Sequence, residues 1–158
     1  MNLSAQLATH FRAVFFGGNW TEVNYRDTLA DVTWQQATTR VGSLNTIATL
    51  VYHVGFYVGT QLRVLQGGPL TGHDRDSFAH PPIASAEDWE ALLNNLWIEV
   101  EAEACLIEQL PAAYIWDSFT DDKYGSYYRN LHGAIEHAHY HLGQIVLVKK
   151  LLGQTATP

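Results

Sequence analysis

The chain has 158 residues, of which 47% are hydrophobic, 12% aromatic and 16% charged. This length and composition fit one globular domain with a sizeable core, so we expect residues 1–158 to form a single domain. The aromatic content excludes a disordered chain. Nine Lys and Arg against sixteen Asp and Glu give a net charge of −7, so the chain has no general attraction to nucleic acid.

Nothing in the sequence is typical of export or membrane insertion. The one cysteine, Cys105, cannot form an internal disulfide, which suits a reducing compartment. The N-terminal residues lack the basic stretch and apolar core of a signal peptide, and no apolar run reaches the ~18 residues of a membrane span. We therefore expect a cytoplasmic protein that binds neither a membrane nor nucleic acid.

The first long helical pattern begins near Ser4, which can cap a helix, and runs to about Phe16. Two glycines and an asparagine follow it and end the pattern. Residues 20–40 then hold one or two short helices, and Thr33 is a start signal for one of them. The connection after the first helix is therefore predicted to be partly helical.

Three more long helices follow. The second runs from about residue 44 to residue 66 and stops at Gly67-Gly68-Pro69. The third opens with the capping box Ser85-Ala86-Glu87-Asp88 and ends before Pro111. The last spans about residues 126–152, with Gly153 as its expected terminator.

These patterns predict an all-α fold, a four-helix bundle with extra short helices in the connections. No alternating strand pattern is present. The linkers 67–83 and 111–125 exceed the usual helix–helix connection of about 2–8 residues. Such linkers either cover a site at the end of a bundle or merely cross its diagonal, and the sequence leaves both open.

Eight histidines are many for this length, and two of them lie four residues apart in the last helix. Residues four apart differ by only about 40° around a helix axis, so His137 and His141 share one face. That face is otherwise apolar, so the pair points toward the core. His132 and His139 lie on the far side of the helix, where we interpret them as exterior residues or interface contacts.

His53 lies in the middle of the second long helix, on a face that mixes apolar and hydroxyl side chains. A lone buried histidine is more often a hydrogen-bonded core residue than a metal ligand. Two helices that contribute one and two inward histidines are nevertheless the arrangement with which a bundle builds a metal site. Three neutral imidazoles and solvent form an open site of the catalytic kind, and both zinc and nickel suit imidazole.

One difference from zinc proteases is informative. Ala138 follows His137, where the H-E-x-x-H helix of a protease carries its glutamate base. Glu136 lies about 100° away around the helix, so we do not expect its carboxylate to reach the same place. The pattern therefore indicates a metal site without an obvious general base, which argues against a peptidase.

Two segments carry a family resemblance. Residues 130–145, NLHGAIEHAHYHLGQI, resemble the last-helix signature of the DinB-like/YfiT-type metalloenzyme superfamily, in which a His-x-x-x-His pair precedes Gly-Gln and an apolar run. Residues 45–53, NTIATLVYH, are similar to the second-helix motif of that family. The resemblance implies a four-helix bundle, often dimeric, in which His53, His137 and His141 hold a divalent metal ion.

Some members of that family are transferases or isomerases that use low-molecular-weight thiols such as mycothiol or bacillithiol. The leading hypothesis is therefore a metal-dependent transferase or hydrolase that acts on a small molecule, with a metal-activated water or thiolate as nucleophile. The alternative is a non-catalytic metal- or ligand-binding bundle protein of the stress response. A third interpretation makes the histidines hydrogen-bonding core residues of a stress-related dimer.

Other candidate site residues are interpreted as follows. Tyr57 is one turn after His53, so its hydroxyl either approaches the metal site or belongs to an ordinary core tyrosine. Gln144 is either a hydrogen-bond partner for the second nitrogen of a ligand or a helix-packing amide. The loop His73-Asp74-Arg75-Asp76, with His80, is expected to be a solvated turn.

Overall fold

The structure is a computed structural model that describes residues 2–155. Within these residues it contains helices, turns and one isolated β-bridge, and no β-strand. The α-helices are α1 (Leu3–Phe16), α2 (Tyr25–Leu29), α3 (Trp34–Thr38), α4 (Ile47–Leu65), α5 (Ala86–Gln109) and α6 (Tyr127–Thr155). Short 3₁₀ helices cover Asp74–Phe78, Tyr114–Trp116 and Asp122–Tyr124.

The four long helices pack in a closed ring. α1 contacts α5, α5 contacts α4, α4 contacts α6, and α6 contacts α1. A single buried apolar cluster lies between them, and each helix contributes side chains to it, among them Phe11, Val51, Val100 and Ile145. An all-helical fold with four long helices and short additional ones is thus confirmed, in the arrangement that a four-helix bundle requires.

The short helices α2 and α3 are anchored to the core by polar contacts. Tyr25 is fully buried and donates its hydroxyl to the Ala138 carbonyl oxygen at 2.8 Å, which ties α2 to α6. The Trp89 indole donates to the Val32 carbonyl at 2.9 Å and so ties α5 to the segment before α3. Thr33 caps α3 with a complete capping box, as its sequence position indicated.

The start of α1 differs from the sequence prediction. Asn2, and not Ser4, caps this helix, because the Asn2 Oδ1 atom accepts from the Ala5 N–H at 2.8 Å. Ser4 is buried and donates its hydroxyl to the Leu110 carbonyl at 2.8 Å, at the end of α5. Both residue types favour a cap, and only this contact between distant segments assigns Ser4 to the core.

Other helix ends also differ. α4 begins at Ile47 with Thr46 as its cap, three residues later than expected, and α6 passes through Gly153 to Thr155. A glycine that ends a helix usually has a positive φ, as Gly67 does with φ 83° at the end of α4. Gly153 does not have a positive φ, so the helix continues through it. In the expected box of α5 the Ser85 hydroxyl accepts from the Asp88 N–H, but the Asp88 carboxylate accepts from Ala84 instead.

The two long linkers have different positions. The linker after α4 contains the 3₁₀ helix Asp74–Phe78, which packs on α4, and the linker after α5 contains the 3₁₀ helix Tyr114–Trp116, which packs on α6. Among residues 2–155 no helix combines the length and the apolar content needed to cross a bilayer. The first linker lies over the part of α4 that carries His53. Of the two possibilities that the sequence left open, this linker therefore covers part of the bundle and does not merely cross its diagonal.

A carboxyl group is buried in the middle of α5. Glu103 is fully buried, and neither of its carboxyl oxygens has a hydrogen-bond partner in the described part of the chain. Burial, with a smaller contribution from nearby Glu99, raises the pKa of Glu103 well above its usual 4.5. The folded protein therefore keeps Glu103 protonated at pH values at which the unfolded chain ionises it.

Keeping Glu103 protonated lowers the stability of the fold, and this effect grows as the pH rises. Above pH 4.5 it lowers the free energy of unfolding by up to about 1.4 kcal/mol per pH unit, until the raised pKa is reached. We predict that Glu103→Met is more stable than the wild type, by a margin that widens from pH 5 to pH 8 in urea denaturation. Glu90→Met, at an exposed position of α5, is the control and should show no such trend. A pH-independent difference for Glu103→Met would contradict the prediction.

Candidate metal centre

Three histidines from two helices converge on one point. His53 comes from the middle of α4, and His137 and His141 come from successive turns of α6. The Nε2 atom of His137 lies 3.0 Å from that of His53 and 3.0 Å from that of His141. One ring nitrogen from each residue lies within 4.8 Å of the other two, so the three could hold a metal ion.

Hydrogen bonds on the outer side fix the tautomers of two of these rings. The Ser77 hydroxyl donates to the Asp74 carbonyl at 2.6 Å, so it accepts from His53 Nδ1, which is 2.7 Å away. The Nδ1 atom of His141 lies 2.7 Å from Gln144 Oε1, an acceptor only. Both histidines therefore carry their hydrogen on Nδ1 and present a bare Nε2 lone pair to the centre.

The Nε2 atom of His137 cannot donate a hydrogen bond to both of these lone pairs. His137 Nε2 can carry one hydrogen, which can be donated to either His53 or His141, and one close pair of nitrogens is then left without a hydrogen. A cation between the three lone pairs removes this conflict. Three nitrogens about 2.0–2.1 Å from a tetrahedral zinc ion are roughly 3.3 Å apart, and two of the three separations in this cluster are 3.0 Å. The side chains present thus fit a divalent metal.

The electrostatic environment keeps the rings neutral, which is the form that binds metal. Burial and the neighbouring imidazoles of His141 and His53 lower the pKa of His137 to about 4, although Asp74 opposes the shift. Burial lowers the pKa of His53, with His141 acting in the same direction. Burial also lowers the pKa of His141, although its hydrogen bond to the Gln144 Oε1 atom acts in the opposite direction.

Aromatic side chains enclose the centre. Phe78 stacks on the His53 ring with 4.2 Å between centroids, and Tyr140 meets His141 edge-on at 4.9 Å. Tyr57 makes edge contacts with both His53 and His137, at 5.1 and 4.9 Å. These contacts hold the three imidazoles in place and leave little freedom for ring rotation.

Tyr57 is more than a core tyrosine. Its hydroxyl donates to Asp74 Oδ1 at 2.6 Å, and burial together with Asp74 raises the pKa of Tyr57 to about 12. The Tyr57 hydroxyl therefore keeps its proton, which it donates to Asp74 beside the histidines. Gln144 contacts His141, as one of its two interpretations required. The roles of Tyr57 and Gln144 toward a metal stay predictions.

The loop after α4 carries two partners of the site that the sequence analysis did not identify. Residues 73–76 are exposed, as expected of a solvated turn, but the 3₁₀ helix Asp74–Phe78 brings Ser77 and Asp74 to the site. Ser77 is fully buried there. The only signal in the sequence is a group of polar residues in an unusually long linker, and no local pattern indicates that it folds back onto α4. His80 lies apart from the cluster, beside Tyr52.

The histidines expected to lie outside the site do so. His132 stacks on Tyr128, and its Nδ1 atom is 3.4 Å from a Glu136 carboxylate oxygen. His139 contacts His10 of α1, with 6.2 Å between ring centroids. Neither belongs to the group of three residues that could hold a metal ion.

A cavity of about 500 Å³ opens beside the centre. His53 and His137 line one end of it, together with the acidic side chains of Asp74 and Glu136. Its walls come from α4 and α6, the two helices that supply the histidines. Small-molecule sites in proteins have volumes of this order, about 300–1,000 Å³. The centre is therefore placed where a small molecule can reach it.

Comparison with family models, curated proteins and solved structures finds no match for this chain. The resemblance to the DinB-like/YfiT-type superfamily thus rests on the two motifs, the helical architecture and the three clustered histidines. Function has to be argued from the chemistry of the site itself.

We predict that protein purified without a histidine tag and equilibrated with zinc retains about one ion per chain. His137→Ala should lose this ion, because the two remaining imidazoles form an incomplete site. His139→Ala is the matched control, since it removes an imidazole two residues away that lies outside the cluster. Elemental analysis after dialysis makes the measurement, and equal zinc in both variants would show that the cluster is not the binding site.

A second prediction concerns Ser77. Ser77→Ala removes the acceptor that holds the hydrogen of His53 on Nδ1, so zinc affinity should fall by about 10- to 100-fold. Competition with a chelating dye measures the change. Ser43→Ala, an exposed position before α4, should leave the affinity unchanged. An unaltered affinity in Ser77→Ala would mean that this hydrogen bond does not prepare the ligand.

Proposed function

We propose that this protein is a DinB-like four-helix-bundle enzyme that depends on a divalent metal, zinc or nickel. It acts as a transferase or hydrolase on a small molecule, with a low-molecular-weight thiol as cosubstrate. The observation that carries the proposal is the convergence of His53, His137 and His141 at one end of a cavity of about 500 Å³. A homodimer, which rests on the family resemblance, and a cytoplasmic location, which rests on the single cysteine, are parts of the same proposal.

The donor set determines the kind of chemistry. Three neutral imidazoles leave at least one coordination position for a water or substrate, whereas structural zinc sites use four protein ligands. A divalent ion bound there lowers the pKa of a water or thiol and supplies a nucleophile at neutral pH. Imidazole nitrogen suits zinc and nickel better than it suits magnesium or calcium, which prefer oxygen ligands.

The surrounding residues have separate tasks. Ser77 and Gln144 orient the rings of His53 and His141 through their Nδ1 hydrogens. Phe78 covers one face of His53 and keeps water from it. Tyr57 and Asp74 line the same cavity, where a hydroxyl and a carboxylate are available to hydrogen-bond a bound molecule.

A non-catalytic metal- or ligand-binding protein of the stress response is the alternative function. Such a protein would be expected to close its metal site with a fourth side chain or with packing on every side. The cavity beside His53 and His137 favours the enzyme, because storage of an ion does not require space for a second molecule. Ala138, in the place of a protease glutamate, argues against peptide hydrolysis.

The test is a turnover assay of the zinc- and nickel-loaded protein. Small thiols such as mycothiol, bacillithiol and N-acetylcysteine are combined with electrophiles, and simple esters and amides are tested for hydrolysis. We expect metal-dependent turnover with at least one pair, and the rate should fall to background in His53→Ala. His132→Ala, outside the cluster, should retain the rate. Turnover that is equal with and without metal, or none across the panel, would contradict the proposal.

A further inference from the structure

The cavity is a groove between two antiparallel helices. His53 of α4 lies beside His137 of α6, and two turns further along α4 the Gln61 side chain donates to the Asn130 carbonyl at 3.3 Å. Residue numbers therefore rise along α4 while they fall along α6. The histidines occupy one end of this groove, and the first turn of α6 forms the other end, where Arg129 lines the cavity.

The groove is open between its two ends. Arg129, Gly133 and His137 follow one another at four-residue intervals on α6, so they form one stripe about 12 Å long. Gly133 is in the middle, and nothing lies within 4 Å of the position that a Cβ atom would take there. A ligand can therefore extend along α6 from the histidines to Arg129 without meeting a side chain of this stripe.

The Arg129 side chain is held in place by its own neighbours. Its Nη1 group donates to the Tyr124 carbonyl at 2.9 Å. Its aliphatic stem packs over Gly125, where a Cβ atom would be only 2.9 Å from Arg129 Cδ. Gly125 also has φ 74°, a conformation that favours glycine. The guanidinium is thus positioned in advance, which lowers the entropic cost of binding a ligand.

The charge of Arg129 is not matched by the protein. Within residues 2–155 no carboxylate is within ion-pair distance of its guanidinium, although acidic residues outnumber basic ones by sixteen to nine in the chain. A positive side chain in the first turn of a helix also faces the positive end of the helix dipole. Four of the five N–H donors of a guanidinium remain for a ligand after the bond to Tyr124.

We propose that Arg129 binds a carboxylate of the substrate or cosubstrate whose reacting atom lies at the three histidines, an inference that rests on the proposed function. A single guanidinium matches the single charge of a carboxylate and can bind both of its oxygens. The length of the stripe places that carboxylate about 12 Å from the histidine end, several bonds from the reacting atom. Arg129 is therefore the residue that selects acidic small molecules over neutral ones.

The experiment measures thiol binding by the cobalt-substituted protein, in which a bound thiolate gives a charge-transfer band in the near ultraviolet. The probes are mercapto-carboxylic acids of increasing chain length and the mercapto-alcohols of the same lengths. We expect the acids to bind about fivefold more tightly than the alcohols once the chain spans the groove. This preference should shrink as salt is raised from about 0.05 to about 0.5 M, because Arg129 is exposed and salt screens exposed charges.

The decisive variant is Arg129→Met, which keeps an unbranched stem over Gly125 and removes the charge. It should bind acids and alcohols equally, with the alcohol affinity of the wild type, and circular dichroism confirms that it is folded. Arg40→Gln is the control, since it removes an exposed charge outside the cavity and should retain the preference.

The possible failures are distinguishable. Acids and alcohols that bind equally to the wild type, or a preference that survives in Arg129→Met, would overturn the role of Arg129 and leave the proposed function standing. No charge-transfer band with any thiol would overturn both, because the thiol would then not reach the metal.

Discussion

Three imidazole nitrogens meet between α4 and α6. The hydrogen bonds around them leave too few hydrogens at the centre to place one between each close pair of nitrogens. Ser77 and Gln144 each take the Nδ1 hydrogen of a histidine, so two bare lone pairs face the Nε2 atom of His137. Burial also lowers the pKa of each ring, so at neutral pH none of the rings gains a second hydrogen that could lie between two of the nitrogens. The surrounding fold keeps this arrangement in place, and the three nitrogens could hold a divalent cation, which would relieve it.

The site depends on the linker after α4 as much as on the helices. Helical spacing alone was enough to place His137 and His141 on one face of α6 and to suggest Gln144 as a partner. It gave no information about Ser77 or Asp74, because their positions follow from the way residues 67–83 fold back over α4. That folding rests on contacts between distant segments, such as the buried hydroxyl of Ser77 against His53. Metal binding, the family and the reaction stay predictions.

In the fold, too, features set by helical spacing could be predicted, whereas features set by contacts between distant segments could not. The four long helices could be predicted because apolar residues recur with the helical period over many turns. Individual ends were less certain, since Ser4 resembles a cap but is used by the core, and Gly153 resembles a terminator but continues α6. The burial of Glu103 was missed although helical spacing places it on the face of Trp89 and Ile107, because an ionisable side chain is ordinarily assigned to solvent.

X-ray absorption spectroscopy of the zinc-loaded protein tests the three-histidine centre most directly, because it counts the ligand atoms and measures their distances from the ion. The geometry of His53, His137 and His141 predicts a four-coordinate ion with three imidazole nitrogens at about 2.0–2.1 Å and one further light atom. The outer-shell scattering of imidazole rings should be strong for the wild type and weaker for the His53→Ala variant. A shell of six oxygens, or a spectrum that His53→Ala leaves unchanged, would contradict it.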